Sequence, residues 1–529
     1  MELSKIFKSL DPKRWQNTDI ETKIDFLKKI RKNVELFMVE LGRSDTLAKG
    51  WDVEDEFLYA SGLSSTVVPM MAQINATIDF YESILKQDML RAVDIKKVKG
   101  EKKYDILVFP QLRKDKILHG DRHDYIRVLD EPVHVNPLSK DGGIIAVLGA
   151  GNYSSPLEII KSLYLENCVV IHKPHPINEK TDKIWEKVFK PLIEFKAVAF
   201  CDPDIGSELI KHEGLKKIYF VGGSVTANKI VKETKVEVVS ECGGNNPLII
   251  VPGEKPWTKH EMRHQALVIN YMNKLKGGAI CARLQTIITC KNWKQRDEFL
   301  NELKDVISKT PGVSSYYPES EEKMEKFKEN YPRAEIIKSE DGTVKNSDFL
   351  FITDIEKNDY ALKHEAFTQI ISEVSLDTED NIKSFLPKAV EFANKNLFGS
   401  LTSCIIIDDH TLAKYRDHVE DAVTNLNYGS IGINTMPILI ALNPYLTWGG
   451  MDKGKEISSG RGNFGNLLCY ENVEKSISYS KFMSQGALKI TNKKAGAHLY
   501  KATAQYYSNP NFSNMVSLIL ASLNNNSKK

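Results

Sequence analysis

The sequence predicts an α/β protein built on doubly wound parallel sheets. Two observations carry this. From Gly143 onward, short apolar runs alternate with amphipathic stretches, which is the βαβ rhythm of a parallel sheet. Before that point, residues 1–95 place apolar side chains at three- and four-residue steps, the period of a helix. With 529 residues, 42% hydrophobic and 27% charged, the chain has room for roughly three to four domains of about 150 residues and the composition of a globular protein.

The elements follow in order. Residues 20–41 carry Phe26, Ile30, Val34, Phe37, Met38 and Leu41 on one helical face, and residues 51–85 repeat the spacing. Both are expected to form a helical layer over a sheet. Residues 104–109 and 124–134 read as strands, with a turn at Asp141, Gly142 and Gly143. Then come a buried strand at 144–148, a helix at 155–166, a strand at 168–172 and a helix at 181–195. A strand at 197–200, a helix at 207–212 and a strand at 217–221 complete this series. A second strand–helix series runs from Val236 to about Ile440. The tail holds one apolar helix at 515–523 and is expected to fray from Asn524 to Lys529. No internal repeat is visible.

A net charge of +2 provides no global field to attract nucleic acid or acidic membranes. The basic run from Lys96 to Lys103 lacks interleaved aromatic residues and reads as a solvated linker. Seven cysteines include no CxxC pair, so neither a zinc site nor a redox dithiol is indicated. Their odd number suits a reducing compartment. The segment from Met1 to Lys5 has no secretory apolar core, and no apolar run reaches the ~20 residues a membrane span needs. The cytoplasm is the expected location.

Two loops carry chemistry. Cys281 lies in the glycine-flanked stretch Gly277-Gly278-Ala279-Ile280-Cys281-Ala282, and Glu241 in Ser240-Glu241-Cys242-Gly243-Gly244. A thiol can attack a carbonyl, and a carboxylate can activate the water that releases the product. The first strand of the βαβ series ends in Gly149-Ala150-Gly151-Asn152-Tyr153-Ser154, close to the dinucleotide fingerprint G-x-G-x-x-G. The second strand, however, ends in His172-Lys173-Pro174 rather than the acid that would bind a ribose. A dinucleotide would therefore be held in a different way.

In this order, the residues resemble the aldehyde dehydrogenase superfamily over roughly 105–470. Asn152 fills the family's Trp-Asn-Phe/Tyr-Pro loop, and Lys161 follows at the family's spacing of nine residues. Lys173-Pro174 matches the Lys-Pro after the second strand, and Phe220-Val221-Gly222-Gly223-Ser224 the Phe-Thr-Gly-Ser-Thr turn. Glu241 to Pro247 is similar to Glu-Leu-Gly-Gly-Lys-Ser-Pro. Cys281 fills the Gly-Gln-x-Cys position, Glu365-Ala366-Phe367 the Glu-x-Phe position, and Asn434 the late Gly-x-x-x-Asn stretch. Singly, each has an ordinary reading: a packed cysteine, surface lysines, a turn asparagine. Together they are specific.

The resemblance implies two doubly wound parallel-sheet domains plus an oligomerisation arm. A helical layer and NAD(P)-binding domain would take residues 1–240, with the strands near 105–135 in the arm. The catalytic domain would take 241–445, and 446–529 would return to the cofactor domain and end in an oligomerisation segment. The implied partners are an aldehyde and a second or further copies of the chain, as homodimer or homotetramer, with no nucleic acid, metal or membrane span. Cys281 would be the nucleophile, Glu241 the base, and Asn152 an oxyanion donor, with Lys161 also catalytic. Lys173, Pro174 and His175 would hold the adenosine ribose end, Gly222, Gly223 and Ser224 the pyrophosphate, and Glu365 and Phe367 the nicotinamide ribose. The implied reaction is oxidation of an aldehyde to a carboxylic acid with NAD or NADP.

Several positions depart from the family. The interval from Lys161 to Lys173 is short. Two residues after Pro174, where NAD-specific members often carry Glu, stands Pro176, so nothing there repels a 2′-phosphate and NADP is expected to be tolerated or preferred. Ala279 replaces the usual glutamine, Gly223 the usual serine, and Leu446-Thr447-Trp448-Gly449-Gly450 the Pro-Phe-Gly-Gly stretch. A CoA-acylating relative is the first alternative. His175-Pro176 favours it, whereas Glu241 opposes it, because hydrolysis would waste the thioester. A catalytically inactive binding protein on the same fold is the second, opposed by Asn152, Glu241 and Cys281 together. Tyr153, Trp448 and residues 436–440 hint at an apolar tunnel for aliphatic or aromatic aldehydes.

Overall fold

The computed structural model describes residues 2–340 and 344–526. Ile144–Leu148, apolar on both faces, is the centre of a six-stranded sheet. Across that sheet the order is Gly460–Arg461, Glu237–Glu241, Lys217–Val221, Ile144–Leu148, Val169–Lys173 and Val198–Phe200. All neighbours are parallel except Gly460–Arg461. The chain winds outward on one side of Ile144–Leu148 and then on the other. This doubly wound topology has its switch point between Ile144–Leu148 and Lys217–Val221, where such sheets place ligands at their carboxyl ends.

The second sheet has eleven strands. Its parallel centre runs Val473–Tyr479, Ser430–Ile433, Thr402–Ile406, Asn246–Ile250, Leu284–Cys290, Ile370–Leu376 and Phe349–Ile352. Antiparallel strands close both ends: Glu335–Ile337 on one side, and Asp94–Lys97, Tyr104–Phe109 and His123–Val128 on the other. The segment after residue 445 therefore serves both sheets, Gly460–Arg461 in the smaller and Val473–Tyr479 in the larger. The sheets meet at Cys242–Asn245. There the last parallel strand of the smaller sheet turns directly into Asn246–Ile250, so the carboxyl ends of one face the amino ends of the other.

Several local expectations change. The basic run is not a linker but one side and the turn of the hairpin Asp94–Lys97 and Tyr104–Phe109, although it is solvated. The strand expected at 124–134 stops at Val128. The helix expected at 181–195 is two helices, Glu179–Val188 and Lys190–Glu194. Pro191 lacks the N–H that a continuous helix would need and sits in the first turn of the second, where that loss costs nothing. In the tail the helix runs Phe512–Asn526 rather than 515–523, and 527–529 of the stretch expected to fray lie outside the described residues.

The long helices Ile20–Ala48 and Glu56–Leu85 are each started by an aspartate cap, Asp19 and Asp55. They pack on each other and on the helices Leu157–Tyr164 and Glu179–Val188 rather than on strands. Polar pins fix them: Tyr81 Oη donates to Tyr164 O at 2.7 Å and Tyr164 Oη to Lys23 O at 2.8 Å. Among the described residues no helix is long and apolar enough to cross a membrane.

Candidate active site

Cys281 sits on a loop whose shape is dictated by its neighbours. Lys276, Gly277 and Gly278 all have positive φ, at 52°, 60° and 82°. A Cβ on Gly278 would lie 2.5 Å from the Thr368 carbonyl carbon, so only glycine permits this approach. Asn246 at the start of its strand clasps the loop from beneath, donating from Nδ2 to Cys281 O and Arg283 O, both at 2.7 Å. Six of the seven cysteines are buried, and Cys281 alone is partly exposed.

The structure brings the four expected catalytic residues into one pocket. Asn152, Lys161, Glu241 and Cys281 line a space of about 110 Å³ together with Tyr153, Glu158, Lys276 and Trp448. The Cys281 thiol and the Glu241 carboxylate face this space together, and the carboxylate accepts from Trp448 Nε1 at 3.2 Å. Burial raises the Glu241 carboxyl, while its interactions with Cys281 and Trp448 pull it down. Burial first, and the charge of Glu241 second, push the Cys281 thiol well above its ordinary value. The resting pair is therefore a neutral thiol beside a carboxylate poised to take its proton.

Asn152 Nδ2 donates to Ala279 O at 3.0 Å, on the Cys281 loop. An amide carries two N–H donors, so the second remains for an oxyanion. Lys161 is buried, 3.4 Å from Glu158 and with its ammonium 5.8 Å from the Phe464 ring; its charge lowers the Glu241 carboxyl. Asn434 lies away from this pocket. Its side chain bonds Ile407 in both directions and shapes a strand end.

Sequence reasoning missed Lys276, because a lysine in a polar loop reads as solvated. Here it is buried, donates to Asn152 O at 2.8 Å and stands 4.8 Å over the Tyr153 ring. Burial and the nearby Lys49 lower it to about 7, against the pull of Asp45 and Cys281. Asp45, on the long helix Ile20–Ala48, is also buried, pairs with Lys49 and accepts from Ser154 Oγ at 2.6 Å. The helical layer is thereby wired into the active-site loop.

The expected cofactor residues ring the carboxyl ends of the smaller sheet. Gly223 caps the ten-residue helix Ser224–Glu233, which has no side-chain cap, and no atom lies within 4 Å of where a Gly223 Cβ would be. Free first-turn N–H groups facing open space fit a pyrophosphate. Gly222 N donates to Glu241 O at 3.0 Å, joining this turn to the catalytic strand. Lys173 Nζ donates to Pro174 O at 3.0 Å, and burial lowers it. His175 is lowered by burial and then by Lys173. It accepts from Ile177 N at 3.3 Å and flanks Gly151 together with Tyr317. Tyr317 in turn packs edge-on against Phe367, centroids 4.9 Å apart. Phe367 has φ 51°, a conformation that a bulky residue holds only under constraint from its surroundings. Glu365 lies against Gly243, where no Cβ could fit. Burial raises it to about 7, opposed by Lys323 and Arg283. No cluster of three or more metal-ligating side chains forms among the described residues.

The Cys281 loop on one sheet faces the carboxyl ends of the other, and this two-sheet fold has solved counterparts. Over 90% of this chain and 87% of theirs, the structure superposes on an NAD-dependent aldehyde dehydrogenase from Sinorhizobium meliloti with a TM-score of 0.61 at 14% identity. The fold is that of the aldehyde dehydrogenases. An NADP-dependent glyceraldehyde-3-phosphate dehydrogenase from Bacillus halodurans, complexed with NADP, gives a TM-score of 0.60 at 14% identity, over 90% of this chain and 91% of that one. Residues 156–315 match the model of the aldehyde dehydrogenase family. That span includes Lys161, Lys173, Gly222, Glu241 and Cys281. An aldehyde dehydrogenase from a Fusarium species is 32% identical over 117 residues, 21% of this chain and 24% of its own length. An N-succinylglutamate 5-semialdehyde dehydrogenase from Chromobacterium violaceum is 32% identical over 122 residues, 21% and 25%. These matches span about a quarter of the relatives' length.

Proposed function

We propose that the chain oxidises an aldehyde to a carboxylic acid with NAD or NADP. The observation that carries this is the meeting of Cys281, Glu241 and Asn152 in one pocket. Glu241 takes the thiol proton as sulfur attacks the aldehyde carbon, giving a thiohemiacetal. The free Nδ2–H of Asn152 and the Cys281 backbone N–H stabilise its oxyanion. An oxidised nicotinamide, when bound, accepts the hydride that the collapsing thiohemiacetal expels. Having passed that first proton to solvent, Glu241 deprotonates the water that hydrolyses the Cys281 thioester, releasing the acid and the Cys281 thiolate, and Lys161 steadies the charge on Glu241.

Lys173, Pro174 and His175 would hold the adenosine end, Gly222, Gly223 and Ser224 the pyrophosphate, and Glu365 and Phe367 the nicotinamide ribose. By the same reading, 1–240 holds the cofactor, 241–445 the chemistry, and the strands near 105–135 with the 446–529 segment form the arm of a homodimer or homotetramer. The test is nicotinamide reduction by the purified chain over a panel of aldehydes, with NAD or NADP, with and without CoA, beside Cys281→Ala. Turnover without CoA that vanishes in the variant supports the reading. Turnover only with CoA replaces it with an acylating activity.

A further inference from the structure

The pocket at Cys281 does not end there. Tyr153, Lys276, Ile280, Ile438 and Leu442 line both it and a second cavity of about 720 Å³. One wall of that cavity is the helix Glu56–Leu85, with Val68 and Ala72. The opposite wall is the C-terminal pair Lys493–Ser508 and Phe512–Asn526, with Leu499 and Leu518. Protein interiors hold few voids larger than a water molecule, whereas ligand sites run to roughly 300–1,000 Å³. A cavity of this size, continuous with a nucleophile, belongs to a ligand.

We propose that this cavity receives the hydrocarbon tail of the substrate, and that the chain acts on long-chain aliphatic aldehydes. The inference rests on the aldehyde-oxidising reading above. The space at Cys281 admits the carbonyl and little more, so the rest of the molecule must pass between Tyr153 and Ile280 into the larger chamber. Apolar side chains dominate that chamber. Of its charged groups, Lys114 pairs with Asp79 at 2.5 Å, and Arg122 holds Asp124 and Leu439 O at 2.9 and 2.7 Å; Asp121 and the exposed Lys481 also line it. His119 is neutral, lowered to about 3 by burial and by Arg122. Burial of each further methylene is favourable there.

The experiment compares acetaldehyde, hexanal, decanal and hexadecanal, and separately measures binding of decanoic acid to the full chain by calorimetry. We expect kcat/KM to rise roughly two- to fourfold per added methylene until the chamber is filled. Ala72→Phe and Thr503→Phe, which fill it from opposite walls, should lower decanal turnover about tenfold or more and leave acetaldehyde unchanged. Equal kcat/KM for acetaldehyde and decanal would overturn the inference while leaving aldehyde oxidation standing. If no aldehyde reacts, the oxidising reading fails, and decanoate binding then decides the cavity. Binding that Ala72→Phe blocks supports an aliphatic site, and its absence in the unaltered chain overturns it. Should both variants fail to fold, the chain-length series and decanoate binding by the unaltered protein still decide.

Discussion

The Cys281 thiol and the Glu241 carboxylate line one buried pocket, and each acts on the other's protonation. Two consequences oppose each other. Burial and the negative charge of Glu241 keep the thiol protonated at neutral pH, while the neighbouring carboxylate gives its proton somewhere to go.

Glu241→Gln separates these effects. It removes the charge that raises the thiol, so Cys281 should ionise at lower pH and react faster with iodoacetamide at pH 8. Aldehyde turnover should fall about 10²–10⁴-fold with loss of the base. Alkylation rates followed against pH, read by mass spectrometry at Cys281, check the sign. Slower alkylation in the variant would contradict the arrangement.

Asn152 has a double attachment, with one amide N–H on Ala279 O and its own carbonyl held by Lys276. Asn152→Ala should lower kcat about 10²–10³-fold, the usual cost of one oxyanion donor, about 3–4 kcal/mol. Since the side chain also ties two loops together, a modest drop in Tm should accompany it. Intact kcat in a folded Asn152→Ala would remove the residue from catalysis.

The parts of this architecture legible in sequence were those where burial and polarity agree. Ile144–Leu148 and Lys217–Val221 are written in apolar side chains, and the helical period of residues 20–41 is unbroken. Val473–Tyr479 was not legible, although it lies inside the larger sheet, because Lys475, Ser476 and Ser478 are buried there. Their polarity is met by partners remote in sequence. Lys475 Nζ caps the end of the helix Arg416–Asn425 through Val423 O and Leu426 O at 3.2 and 2.7 Å, and Ser478 bonds Asp124. Lys276 was hidden for the same reason. The cavity was hidden too, since its walls come from Glu56–Leu85 and from the C-terminus, more than four hundred residues apart.

Lys276 provides the third prediction. Its ammonium is half discharged near neutral pH, lowered to about 7, first by burial and then by Lys49. When protonated it is the cation beside Cys281, and it favours the thiolate and the oxyanion that follows. Lys276→Met should therefore raise the thiol further, slow its alkylation at pH 6, and lower kcat about tenfold there. The sign for pH is definite. The cation is present below about pH 7 and lost above it, so its contribution to rate shrinks as pH rises. The ratio of unaltered to Lys276→Met kcat should fall toward one between pH 6 and pH 9, and a ratio constant across that range would show that Lys276 only supports the loop.

Cofactor choice depends on the end of Val169–Lys173. On the proposed reading the adenosine ribose lies at Lys173 and His175, which end this strand and precede Pro176, a residue without a carboxylate. The carboxylates that act on Lys173 are Asp182 and Asp204, and Lys173 itself donates to Pro174 O. A 2′-phosphate brings roughly two negative charges to this lysine, whereas a ribose diol offers only hydroxyl oxygens. kcat/KM with NADP should equal or exceed that with NAD, more so at low salt because the added attraction is between charges. Lys173→Ala should weaken both cofactors, and NADP more, by about tenfold. His175, lowered by burial and by Lys173, carries no charge at pH 7.5, so Lys173 provides the discrimination there; below its depressed value His175 becomes cationic and NADP should gain further. Steady-state kinetics with both cofactors at two pH values measure this directly. A strong NAD preference in the unaltered chain would show that Lys173 does not welcome the phosphate.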